Sequence, residues 1–320
     1  MTYQPATILD DLSSVPKLPA WVTSARAETF EVVAFRSGAA LSVLDALVTD
    51  ARHAVPVKLL ANRLALTAAV ETSKLEGRLA QLGNIRDAFH LAQPGEARGP
   101  DGDLLVFWRD AARLGPTGKG CQAGLKDIVG AQFEDNVTGL SRAGADHALR
   151  HGPLAASVDV MREVLSHDDR AERVACLLSD VVLARALQWK SVLPLSAGRL
   201  TKAMLRNLIA GAPGAELVVQ QQMLAALEDA IRLARDLAGR AAALRAVAPK
   251  LRAKGSGAAV ALFLSEDAVA PATMLSPRVQ GTTIPMTDRA ARRFCDRLVA
   301  LGVAQELTGR PTFRLYGITR

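Results

Sequence analysis

The chain reads as mainly α: a multi-helix body followed by a small C-terminal module made of one helix and a β-hairpin. Three observations point to this. The body is rich in Ala and Leu, aromatic residues make up only 4% of the chain, and alternating β-branched runs are lacking, a composition that favours helices. From Glu216 to about Val247, Leu217, Leu224, Leu227, Ile231, Ala234 and Ala238 recur at three- and four-residue spacing. The last thirty-odd residues then change from a helical to an alternating pattern.

In order, Pro5, Pro16 and Pro19 mark an extended arm. Helical patterns follow over 25–51, 57–80 and 82–91. Two prolines and three glycines break the pattern over 93–102. Helices resume over 103–114, 124–138, 153–166 and 168–189, with Asp168 or Ser166 as the N-cap of the last. Pro194 and the run from Gly211 to Gly214 set off a shorter helix at 200–210. The long helix at 216–247 carries a second seam, Met223, Leu233, Leu237 and Leu244, so it is expected to lie buried among others or at a dimer interface. The basic, Gly-rich stretch 250–257 reads as a linker. The expected division is a helical body (1–215), a connecting helix (216–250) and a C-terminal module (251–320).

Thr287 and Asp288 suit an N-cap and first turn, and Gly302 suits the left-handed position that stops a helix. Between them Ala291, Phe294, Leu298 and Leu301 fall on one face, and Arg289, Arg292, Arg293, Asp296 and Arg297 on the other. Residues 303–307 and 312–316 read as two strands around Thr308-Gly309-Arg310-Pro311, with Phe313 and Leu315 on the buried side. Arg310 and Arg314 would add two cations beside the helix. Helix followed by hairpin is how a winged-helix module ends, so the module is winged-helix-like. The eleven residues 276–286 before Thr287 are longer than the turn of a tight helix-turn-helix.

A charged outer face is ordinary for a surface helix. Here, however, Arg289, Arg292 and Arg293 sit in the first half of the helix, where the dipole disfavours cations. They would suit an external phosphate backbone instead. The net charge is +7, and residues 231–320 hold fifteen Lys and Arg against six Asp and Glu; the other residues carry twenty-four against twenty-six. The whole cationic excess lies in the C-terminal part, as expected if that part meets a polyanion.

Cys121, Cys176 and Cys295 stand far apart, which argues against a zinc site or a disulfide framework and for a reducing, cytoplasmic setting. No apolar run is read as a membrane span, and the first residues lack a secretory h-region. Gly115-Pro-Thr-Gly-Lys119-Gly120 lacks the first Gly and the Ser or Thr of a phosphate loop, so it reads as a turn. His147 and His151 have metal-binding spacing, but without the intervening Glu of the zinc-protease motif they read as a solvated helix end. No catalytic constellation stands out, and no cofactor is expected.

Thr72-Ser-Lys-Leu-Glu76-Gly77 resembles the inhibitory-helix signature of Fic-type AMP-transferases. The catalytic loop of that family matches nothing around the five histidines, so the resemblance implies at most a catalytically dead relative. A broader resemblance rests on Ile85-Arg-Asp-Ala-Phe-His-Leu91 with Pro94-Gly95, on Gly99-Pro100 with Trp108-Arg109, and on Ala259 through Pro271 (AVALFLSEDAVAP). It continues in Asp288-Arg-Ala-Ala-Arg-Arg-Phe294 and Leu315-Tyr-Gly317. These stretches are similar to an α-proteobacterial family known as domain of unknown function 1403. That resemblance implies one architectural unit from about residue 30 onwards, and no activity.

The expectation is a DNA-binding accessory or regulatory protein, with Arg289, Arg292, Arg293, Arg297, Arg310 and Arg314 meeting double-stranded DNA. The alternative is a non-enzymatic scaffold that binds a protein partner or itself through the helical body. No membrane role is expected.

Overall fold

The computed structural model describes residues 15–93, 95–117, 120–130, 134–310 and 312–318. It is mainly helical, with a small antiparallel two-stranded sheet at its C-terminal end. After α1 (Ala20–Thr23), α2 (Phe30–Thr49) starts at Thr29, whose hydroxyl accepts from the Val32 N–H. By length and composition α2 is apolar enough to cross a bilayer, unlike the expectation for this segment. In the fold it lies along α11 (Ala215–Val247), and Arg36 pairs with Glu228 of that helix. At 33 residues α11 is about 50 Å long. It also meets α3 (Val57–Leu75), α8 (Pro153–His167), α10 (Lys202–Ile209) and the C-terminal sheet. Of the two seams read from the sequence, Leu224, Leu227, Ile231, Ala234 and Ala238 in the first and Met223, Leu237 and Leu244 in the second are buried, whereas Leu217 and Leu233 are half-buried.

Several boundaries differ from expectation for local reasons. Helix α4 (Leu82–His90) follows α3, and α5 (Gly99–Arg113) begins inside the expected loop. Pro100 falls in the first turn of α5, where a missing N–H costs nothing. The helix expected over 124–138 is two: α6 (Gly120–Val129) ends where Gly130 takes φ 81°, and α7 (Glu134–His151) follows. Helix α9 (Glu172–Ala186) starts later than 168, because Asp168 turns its carboxylate onto the Arg170 N–H and leaves Ala171 at the cap. His147 is not a solvated end: its Nε2 lies 2.8 Å from Asp159, and its ring stacks on His151. Lys119 and Gly118 of the phosphate-loop-like turn lie outside the described residues.

The C-terminal part comprises α12 (Ser256–Phe263), a single helical turn (Pro271–Leu275), α13 (Asp288–Ala300), β1 (Ala304–Glu306) and β2 (Tyr316–Ile318). Strands β1 and β2 pair with Ala304 opposite Ile318 and Glu306 opposite Tyr316. Val269 exchanges both backbone hydrogen bonds with Tyr316 on the outer edge of β2. The second strand thus begins four residues later than 312. Phe313, expected on the buried side, takes φ 55° and is 66% exposed, whereas Tyr316, expected outside, is buried. The connection is held by Glu306, whose carboxylate accepts from the N–H groups of Thr308 and Gly309. Pro311 lies outside the described residues.

Candidate functional site

Helix α13 forms where the sequence placed it. The Thr287 hydroxyl accepts from the Ala290 N–H at 3.3 Å. At the other end Gly302 takes φ 70°, and Val303 N–H returns to the Leu298 carbonyl, the closing bond of a Schellman cap. Ala291, Phe294, Cys295 and Leu298 are buried, which orients the helix. Burial, reinforced by the charge of Asp296, pushes the Cys295 thiol up to about 12, so it stays protonated and acts as a packing group.

This orientation divides the six arginines between two walls. Arg289, Arg293 and Arg297 stand one turn apart on a single exposed ridge. Opposite them runs the segment leaving α11, and between the two lies a groove of about 790 Å³. Lys250 and Arg252 line its far side, so five cations face one groove with no carboxylate among its lining residues. None of the five forms an ion pair among the described residues. Arg292 points round to the other wall and pairs with Asp288 at 2.7 Å. Arg310 reaches back to Asp87 of α4 at 3.4 Å, and Arg314 donates to the Arg310 carbonyl. Sequence reading missed Lys250 and Arg252 as groove residues; their only signal was the basic character of the stretch read as a linker.

A second cluster, also missed, lies buried between the body and the C-terminal part. Arg109 of α5 is 1% exposed, and its Nη1 donates to Glu266 Oε2 at 2.6 Å while Nη2 meets Asp267 Oδ1. Its guanidinium also covers the Phe89 ring at 4.6 Å. Lys58 and Asn62 of α3 bind Glu266 from a third side. Burial raises the Glu266 carboxyl, but the charges and hydrogen bonds of Arg109 and Lys58 outweigh it and hold the group below its usual value. His90 Nε2 lies 3.1 Å from Asp267 Oδ1. Burial, then the charge of Arg109, drives the imidazole down to about 3, so it is neutral at neutral pH. Beside it Arg86 binds Asp87 and donates to the Leu307 carbonyl beyond β1.

A protein-family model described as "Protein of unknown function (DUF1403)" matches residues 6–318. The chain belongs to the DUF1403 family. No curated protein matches it. The stretches that carried the resemblance meet in space. In this DUF1403 protein Arg86, Asp87 and His90 come from the first, Arg109 from the second, and Glu266 and Asp267 from the third; together they build the buried cluster. Thr72 and Glu76 of the Fic-like signature are engaged internally. Thr72 accepts from the Trp108 indole at 3.0 Å, and Glu76 binds Arg173.

Proposed function

We propose that this protein binds double-stranded DNA through the C-terminal module, acting as an accessory or regulatory protein. The reading rests on the groove beside α13: five cations on two facing walls, which among the described residues form no ion pair and share the groove with no acidic residue. Arg289 and Arg293, unpaired among the described residues, sit in the first half of α13, where the dipole disfavours cations, which supports a use for them outside the chain. Phosphate contacts of this kind fix position and carry most of the affinity, without themselves reading sequence. A winged-helix assignment of the module is part of the proposal. It is supported by the element order α12, Val269, helical turn, α13, β1, β2, and by Val269 pairing with β2 on the side away from β1.

The test is fluorescence anisotropy of a labelled random duplex titrated with the full chain over a salt series. Micromolar binding at low salt that falls steeply as salt is added is expected, because each neutralised phosphate releases a counterion. A flat baseline at every salt concentration overturns the proposal.

A second reading, a protein-interaction scaffold, is favoured by the body's N-terminal corner. There Trp21, Phe30 and Phe35 are exposed, with Trp21 and Phe35 rings 5.9 Å apart. Loss of self-association or of a stoichiometric protein partner in Trp21→Ser/Phe35→Ser would support it, and unchanged association would remove it.

A further inference from the structure

On the side of α13 away from the cationic groove lies a cavity of about 500 Å³, within the range that holds small molecules. Leu91 at the end of α4 and Pro271 give it apolar walls; Arg292, Phe313, Arg314 and Tyr316 also line it. Phe313 stands out among these. A bulky residue at φ 55° is a backbone outlier, and outliers of this kind persist where a site needs them. This one carries a ring that is 66% exposed at the cavity's edge. Of the charges lining the cavity, Arg292 is paired with Asp288 and His90 is neutral, which leaves Arg314 as the cation open to a ligand, with Asp296 beside it. Arg314 meets the Tyr316 hydroxyl and the Arg310 carbonyl, and among the described residues no carboxylate lies within ion-pair distance of it.

We propose that this cavity binds a small aromatic monocarboxylate, with its ring stacked on Phe313 and its carboxylate paired with Arg314. Two aromatic side chains and the apolar wall suit a planar ring, since offset stacking adds to area burial. A planar guanidinium matches a carboxylate geometrically, and a single arginine without an ion-pair partner, with Asp296 beside it, suits a monoanion better than a polyanion. The bound molecule would touch the body through Leu91 and the C-terminal part through Arg314. This inference stands independently of the DNA reading, which uses the opposite wall.

The test is calorimetric titration of the full chain with 2-naphthoate and, separately, with the neutral 2-naphthamide. One-to-one binding of naphthoate is expected, with naphthamide about tenfold weaker or more. Phe313→Gly should weaken naphthoate several-fold while leaving the melting temperature unchanged or raised, because glycine adopts a positive φ without strain. Arg314→Gln should weaken it about tenfold. Arg289→Ala/Arg293→Ala/Arg297→Ala should leave it unchanged. Absence of heat up to millimolar naphthoate, or wild-type affinity in both Phe313→Gly and Arg314→Gln, would overturn the proposal. So would a loss confined to the triple variant.

Discussion

Arginine occupies two opposite settings in this protein. Arg109 is almost fully removed from water, holds two carboxylates, and joins α5 to the segment between α12 and the helical turn. Arg289, Arg293 and Arg297 stand in water on one ridge and form no ion pair among the described residues. The first kind of charge is structural: once desolvated, it must keep its partners, because an orphaned buried charge costs more than the pair contributes. The second kind adds little to the fold and leaves a field available to a ligand. The same residue type therefore marks an internal joint in one place and a candidate binding surface in the other.

Variants should separate the two settings. The largest effect is expected at Arg109→Met, which strands Glu266 and Asp267 in the interior and should lower unfolding free energy by about 3–5 kcal/mol in urea. A loss below about 1 kcal/mol would mean the joint is solvated. The next is a pH effect of about 2 kcal/mol between pH 7 and 5. His90 falls from 6.5 to about 3 on folding, so the unfolded chain binds more protons there, and stability is lost as pH falls through this window. Asp180, buried beneath the turn at Ser196, rises from 3.8 to about 7 chiefly by burial. The folded chain binds more protons at that site, so stability is gained over the same window. The two oppose each other. His90→Gln should therefore grow more stable on acidification from pH 7 to 5, and Asp180→Asn less stable. Identical pH slopes in both variants and the parent chain would contradict these assignments.

Thr287→Ala removes the cap of α13 and should cost about 1 kcal/mol by thermal melting, with no loss expected if water replaces the hydroxyl. Smallest of all, Arg289→Ala/Arg293→Ala/Arg297→Ala should change stability by less than about 0.5 kcal/mol, as surface changes do. A large destabilisation would place these side chains among the structural charges.

Helix α13 was legible because its signals are local: a hydroxyl cap, an apolar face of Ala291, Phe294 and Leu298, and a terminal glycine. The seam of α11 was legible for the same reason. The hairpin register was not, because it turns on Phe313 adopting a left-handed backbone that residue type does not announce. Nor was the buried cluster. His90 and Asp267 are 177 residues apart and Arg109 and Glu266 157 apart, so no window of sequence contains both partners. The available hint was Glu266-Asp267 set inside an otherwise apolar run, where charges must find partners. Lys250 and Arg252 likewise joined the groove only through the path of the chain after α11.

The most direct test compares the salt dependence of duplex binding in the parent chain and in Arg289→Ala/Arg293→Ala/Arg297→Ala. If the ridge meets phosphates, the triple variant should bind more weakly, and the slope of log K against log salt should shrink by about 0.9 for each phosphate no longer neutralised. Equal affinity and equal slope in the two proteins would show that this groove does not bind DNA.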